Sequence, residues 1–187
     1  MKVIKVYDVK NKKIINEIEA YIDDILALTL SSDDKYLVTV SADKSIKLWD
    51  IQNTKLIKSF NDAKSDISCV AISNDNKYIA AGDGYIYIWD LDTKKILTSI
   101  KAHTDIINSI DFTHQTDRII SPGGDGKINI WSLADFKPLK VLNNHKESVL
   151  SFNISEDDTL IVLSSDNRSI AIYYLVNEKI VKKFYDK

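Results

Sequence analysis

The chain has 187 residues, 44% of them apolar, and a formal net charge of −2, the composition of a folded globular protein of one or two domains. Charged residues make up 28% and stand singly, which excludes the like-charge runs of a nucleic-acid tail or a membrane-surface patch. Cys69 is the only cysteine, so no intramolecular disulfide can form; with no apolar run suited to a signal peptide or a bilayer span, a reducing, cytoplasmic setting is expected.

Taken in chain order, apolar residues alternate at period two in short bursts between polar turns, the pattern of strands and not of helices. Residues 3–7 and 13–18 read as two strands. Leu26, Leu28 and Leu30 then mark one face of a strand, Ser31 to Lys35 a turn, Tyr36 to Val40 a strand and Ser41 to Lys44 another turn. Ser45 to Trp49 and Leu56 to Phe60 supply two more strands. Ile67 to Ile72 opens the next group and carries Cys69, whose expected role is packing. Asp83-Gly84 and Asp125-Gly126 read as hairpin turns that use glycine's access to positive φ. Pro122, at the end of a strand, removes a ladder donor and predicts a local break.

The groups repeat. Tyr7, Trp49, Trp89, Trp131 and Tyr173 each end a short apolar strand, with neighbouring members 40 or 42 positions apart. Four strands per repeat cannot bury their apolar faces alone and must stack on the next repeat, the arrangement of a β-propeller. The predicted architecture is all-β: a partial propeller of four full four-stranded blades (residues 20–60, 61–100, 101–142 and 143–185) behind a leading half blade (1–19), in a single domain spanning 1–187. A seven-bladed ring at roughly 40–45 residues per blade needs about 300 residues. The ring is therefore expected to close on further blades or on another chain.

The pairs Trp49-Asp50 and Trp89-Asp90, and Ala102-His103 where a Gly-His pair is usual, resemble the WD40-repeat propellers over essentially the whole chain. That resemblance implies a structural hydrogen-bond set of His103, Ser121, Asp125 and Trp131. It is partial elsewhere: Thr39, Asp43 and Trp49 are present with Tyr21 in the histidine slot, and Asp83 and Trp89 with Ala63 and Ala81 in the histidine and serine slots. His145, Asn167 and Tyr173 fill the last repeat.

A serine, a histidine and an aspartate in one repeat also fit a catalytic triad. The resemblance instead implies a network in which buried polar groups satisfy one another. No catalytic residue, metal cluster or cofactor site is expected, and three histidines do not converge into a zinc set. The resemblance further implies that partners are held on the loops entering each first strand and on the second turn of each blade. Those loops carry Tyr21, Asp23, Asp24, Asp62, Lys64, Asp66, Thr104, Asp105, Lys146 and Glu147, with Asp166 in a turn. Their acidic excess suits a basic partner segment as well as an ordinary solvated surface. The expected function is a non-enzymatic protein-interaction scaffold within a multiprotein complex. The alternatives are a regulatory or substrate-recognition propeller of a longer enzyme, and a propeller acting through its central channel.

Overall fold

A computed structural model describes residues 1–143, 147–175 and 179–185. Its strands fall into one two-stranded and four four-stranded antiparallel sheets, each a simple meander. The half blade is β1 (Lys2–Asp8) paired with β2 (Lys13–Tyr21). Blade 2 holds β3 (Ile25–Leu30), β4 (Tyr36–Ser41), β5 (Ile46–Asp50) and β6 (Lys55–Phe60). Blade 3 holds β7 (Cys69–Ile72), β8 (Tyr78–Gly82), β9 (Tyr85–Asp90) and β10 (Lys95–Lys101). Blade 4 holds β11 (Asp111–Phe112), β12 (Arg118–Pro122), β13 (Ile128–Ser132) and β14 (Pro138–Leu142). Blade 5 holds β15 (Val149–Ile154), β16 (Leu160–Ser165), β17 (Ser169–Tyr174) and β18 (Ile180–Tyr185).

The second and third strands of blades 2–4 are rich in β-branched and aromatic residues and are buried on both faces, because a neighbouring blade covers each side, whereas those of blade 5 alternate buried and exposed residues. Four apolar clusters result, one at each junction. Ile4, Ile18 and Tyr21 meet Leu37 and Trp49; Val38 and Leu48 meet Ile67, Ile79 and Trp89; Ala80 and Ile88 meet Ile107, Ile119 and Trp131; Ile120 and Ile130 meet Ile161, Leu163 and Tyr173. The aromatic of each repeat therefore faces the preceding blade. Trp49, Trp89, Trp131 and Tyr173 have at most 6% of their surface exposed, whereas Tyr7, with no preceding blade against it, is 59% exposed. The fourth strands are mostly exposed.

The first and last turns recur from blade to blade. In the first, a Ser hydroxyl donates to an Asp two residues on, 2.7 Å away in each of Ser31–Asp33, Ser73–Asp75 and Ser155–Asp157. The next residue, Asp34, Asn76 or Asp158, takes a left-handed conformation with φ of 57°, 57° and 56°. The Asp of each Trp-Asp pair folds the last turn: Asp50 accepts from Asn53 N and Asp90 from Thr93 N, at 3.0 and 2.7 Å.

Two expectations are corrected. Pro122 stands at the end of β12, as expected, but without a break in the ladder: it stays paired with Ile128, and its carbonyl accepts Asn108 N at 3.1 Å. The shortened strand is β11, of two residues. The Asp-Gly turns also differ from each other, since Gly126 has a φ of 75° and Gly84 is not in the left-handed region. The turn at Asp83-Gly84 is shorter, residues 83–84 against 42–45 in blade 2, and needs no residue of positive φ.

The turn carboxylates tie stability to pH. Hydrogen bonds from Ser31 hold Asp33 at about 2 against an ordinary 3.8, and Asp50, Asp90 and Asp157 are likewise lowered by Asn53, Thr93 and Ser155. A carboxyl depressed in the folded state stabilises above its unfolded value and loses that contribution as protons bind. Urea midpoints are therefore expected to hold above about pH 4 and to fall from there toward pH 2, with a shallower fall in Asp33→Asn plus Asp157→Asn.

Candidate functional site

The entry loops and second turns of the blades are clustered by hydrogen bonds whose origin lies in the strands beneath. In blade 4 the Trp131 indole N–H donates to Ser121 Oγ at 3.2 Å, Ser121 Oγ lies 3.0 Å from His103 Nε2, and His103 Nδ1 donates to Asp125 at 2.9 Å. The neutral ring receives the Ser121 hydroxyl proton at Nε2; a protonated ring donates instead to the Ser121 carbonyl, 2.9 Å away. Asp125 also accepts Thr104 N and Oγ1, at 3.2 and 3.3 Å. Burial pushes the Asp125 carboxyl up, but bonds from His103 and Thr104 outweigh it and leave the group below its ordinary value. The Ser121 side chain is fully buried.

Blade 2 shows how Tyr21 replaces histidine. Its hydroxyl reaches Thr39 Oγ1 at 2.8 Å and Thr39 O at 2.7 Å, and Trp49 Nε1 donates to the same Thr39 Oγ1 at 2.9 Å. Tyr21 is thus buried, with 2% exposed, and is corrected from a loop contact to a core group; burial drives its phenol pKa upward. Asp43 does not join this set. Its carboxylate closes its own turn on Ser45 N and Oγ, at 2.9 and 2.7 Å.

Blade 3 rebuilds the network without histidine or serine. Ala81 offers no hydroxyl, so Trp89 Nε1 donates to Asp62 Oδ2 at 3.0 Å. Asp62, expected on the partner surface, is engaged in holding the tryptophan. Asp83 accepts Ser65 Oγ at 2.6 Å and Tyr87 Oη at 3.2 Å, and Tyr87 Oη accepts Lys64 N at 3.0 Å. Ser65 and Tyr87 were not legible as network members. The available signal was the position two before each tryptophan: Lys47 donates to Ala20 O, Asn129 to Ala102 O and Tyr87 takes Lys64 N, so this slot anchors the entry loop in three blades.

The remaining loop residues divide into tethered and open groups. Asp24 pairs with Lys2 at 2.5 Å and takes its N–H to Asp23 at 2.8 Å. Lys64 Nζ lies 4.9 Å over the Tyr85 ring. Asp105 accepts Ile106 N at 2.7 Å and lies against Gly124, while Asp23, Asp66, Glu147 and Asp166 are exposed. Lys146, like His145, lies outside the described residues. A groove of 650 Å³ runs between the blade 3 and blade 4 loops, lined by Asp66, Asp83, Asp105, Ile106 and Tyr85 together with Lys44 and Lys101. Ile106 is 55% exposed and, on the blade 2 loop, Ile22 is 88% exposed.

On the opposite turns His114 Nδ1 bonds Asp158 at 2.9 Å. Cys69 is buried, and burial pushes its thiol up to about 12, an unreactive state. Among the described residues no group of three His, Cys, Asp or Glu side chains could hold a metal, and no helix is long and apolar enough to cross a membrane.

Stacked four-stranded meanders joined by these polar sets define an arc of a β-propeller. The model of the WD domain, G-beta repeat, matches residues 12–50, 54–90, 94–132 and 136–173, and the chain belongs to that family. WD40 propellers generally mediate protein–protein interaction. The fold is similar to the solved structures titled "Structure of U3-55K" (TM-score 0.82, 22% identity, 90% of this chain) and "Crystal structure of RRP9 WD40 repeats" (TM-score 0.81, 22% identity, 90% of this chain). The chain spans 54% and 53% of those two chains, about half their length. No curated protein matches the sequence.

Proposed function

We propose that this chain is a non-enzymatic protein-interaction scaffold whose loop face takes a basic segment of a partner within a multiprotein complex. The observation that carries the proposal is the groove between the blade 3 and blade 4 loops, where the exposed Asp66 and Asp105 stand beside the exposed apolar Ile106 and the ring of Tyr85. An apolar anchor beside an excess of carboxylates, Asp66, Asp83 and Asp105 against Lys44 and Lys101, suits a Lys- or Arg-bearing peptide with an apolar residue. The nearest approach to a catalytic constellation supports the non-enzymatic reading, since the Ser121 hydroxyl is fully buried between an indole and an imidazole. We also propose that the arc is completed from outside its own strands, because its two ends leave apolar faces open, Leu28 and Leu30 at one and Val162, Ile170 and Phe184 at the other.

Affinity purification of the tagged chain from its native cell, beside an Asp66→Lys plus Asp105→Lys variant, tests the loop-face reading. Co-purifying proteins should be retained by the natural chain and released from the variant at lower salt. A Lys/Arg-rich peptide should bind the variant roughly tenfold more weakly, the effect of reversing two rim charges. Equal recovery from both proteins would count against a basic partner on this face.

A further inference from the structure

We infer that the groove beside Asn129, between blades 3 and 4, takes an acidic segment of a partner protein through one tyrosine or tryptophan side chain of that segment. The groove has a volume of 350 Å³ and is walled by Ala102, just after β10, and by Asn129, Trp131, Pro138 and Val141 of blade 4, with Lys101 and Lys127 beside them. It shares only residues of the 101–104 segment with the acidic groove of the loop face, and its occupant is independent of the one proposed there. Three features specify that occupant.

The first is the origin of the open space. Asn129 on β13 stands two residues before Trp131, as Lys47 on β5 stands two before Trp49, and each side chain donates to the carbonyl of the alanine that precedes His103 or Tyr21, Ala102 and Ala20. In blade 2 the lysine stem is long enough to lie over the ring behind it, with Nζ 4.0 Å from the centre of Tyr21. Asn129 is shorter and stops at its carbonyl, so the space along Trp131 and Val141 stays open, and Val141 is 41% exposed.

The second is the charge at its margin. Lys101 precedes Ala102 and Lys127 lies two residues before Asn129, where blade 2 has Glu19 and Ser45. A place that in blade 2 holds its own lysine beside a carboxylate is thus flanked in blade 4 by two lysines. Asp125, the one carboxylate among the described lining residues, is engaged by His103, by Thr104 N and by Lys127 N. Neither the Lys101 nor the Lys127 ammonium has a side-chain partner among the described residues. Charge complementarity therefore selects carboxylates on the occupant.

The third is an acceptor without a donor. Asn129 is 4% exposed and its Nδ2 donates to Ala102 O at 2.6 Å, while its buried Oδ1 has no hydrogen-bond partner among the described residues. A buried acceptor left unpaired is costly, and a donor delivered by a ligand removes that cost. The walls around it are apolar, so the donor has to arrive on an apolar body. A tyrosine O–H or a tryptophan N–H is such a group, and the acids that Lys101 and Lys127 call for flank it. A nucleic-acid strand also offers flat rings with N–H donors, yet two lysines on a chain of net charge −2 supply little of the phosphate neutralisation on which such binding depends.

The test uses the intact 187-residue chain and, as probe, a blocked pentapeptide of sequence Asp-Glu-Tyr-Glu-Asp. The side-chain amide resonances of Asn129 and the indole resonance of Trp131 should shift and saturate, while the Ile106 methyls stay in place. Asn129→Lys, which copies Lys47, should fill the groove and abolish the shift of the indole. Lys127→Glu should weaken binding roughly fivefold, the scale of a half-exposed ion pair, and decides the matter alone if Asn129→Lys does not fold. A leucine in place of the peptide's tyrosine should bind at least about tenfold more weakly, as loss of a ring and its hydrogen bond does; equal binding would overturn the aromatic anchor. Shifts centred on Ile106 would assign the probe to the loop face instead. A single-stranded oligouridylate that moves the same resonances at lower concentration than the peptide would replace the protein partner with RNA. No shift at millimolar peptide would sink the groove as a site.

Discussion

Gly123→Ala should lower the unfolding free energy by about 3 kcal/mol, as overpacking combined with a damaged buried polar set does. A Cβ at this position would lie 2.3 Å from His103 Nδ1, 2.8 Å from its Cγ and 2.9 Å from Asp125 Oδ1. None of these atoms can yield cheaply, because the imidazole is pinned at both nitrogens and the carboxylate holds it. The φ of Gly123 is unremarkable, so the requirement is for space and not for backbone freedom. Thermal unfolding should shift down by roughly 6–12 °C for a domain of this size. Gly124→Ala serves as the comparison, its Cβ meeting the side chain of Asp105 at 3.0 Å in an exposed loop that can move. A Gly123→Ala protein that melts with the natural chain would show that the His103–Asp125 contact is dispensable.

Trp89→Ala should cost more, about 3–5 kcal/mol. The side chain has no exposed surface, lies 5.3 Å from the Phe60 ring and 5.9 Å from the Tyr87 ring, and joins blade 2 to blade 3. Its removal also strips Asp62 of the indole donor, although that carboxylate is exposed and can turn to water. The conservative Trp89→Phe weighs the two effects: it keeps an aromatic ring in the core while losing the hydrogen bond and part of the indole's buried volume. Chemical unfolding of the two variants should place Trp89→Phe much closer to the natural chain. Equal losses would mean that the bond to Asp62, and not packing, dominates.

The strands and their grouping were legible because blade burial writes itself into the sequence twice, as period-two alternation and as an aromatic at each third strand. Blade 4 was legible for the same reason: His103, Ser121, Asp125 and Trp131 each retain the residue type that the network needs. What escaped was substitution within an intact geometry. Tyr21 enters the core in place of histidine because its longer side chain reaches Thr39 directly, with no carboxylate behind it. Asp62 looked like a free loop acid, and only the missing hydroxyl at Ala81 explains why an indole claims it. The turns were equally opaque, since ten non-glycine residues among those described adopt positive φ, among them Lys12, Thr54 and Phe136, where sequence would have asked for glycine or asparagine. The bonds that bind first turns to one another link residues some forty positions apart, as in His114–Asp158 at a separation of 44, and leave no local signature.

The three indoles have a further consequence. Trp49, Trp89 and Trp131 occupy matching sites in successive blades, each nearly sealed from water, and their N–H groups meet three different acceptors: a threonine hydroxyl, a carboxylate and a serine hydroxyl. Each of these blades thus carries its own optical label, and the carboxylate beside Trp89 sets that one apart from the two hydroxyl-bonded indoles. Variants keeping one indole at a time would let fluorescence follow the order in which the arc comes apart, from whichever end it begins.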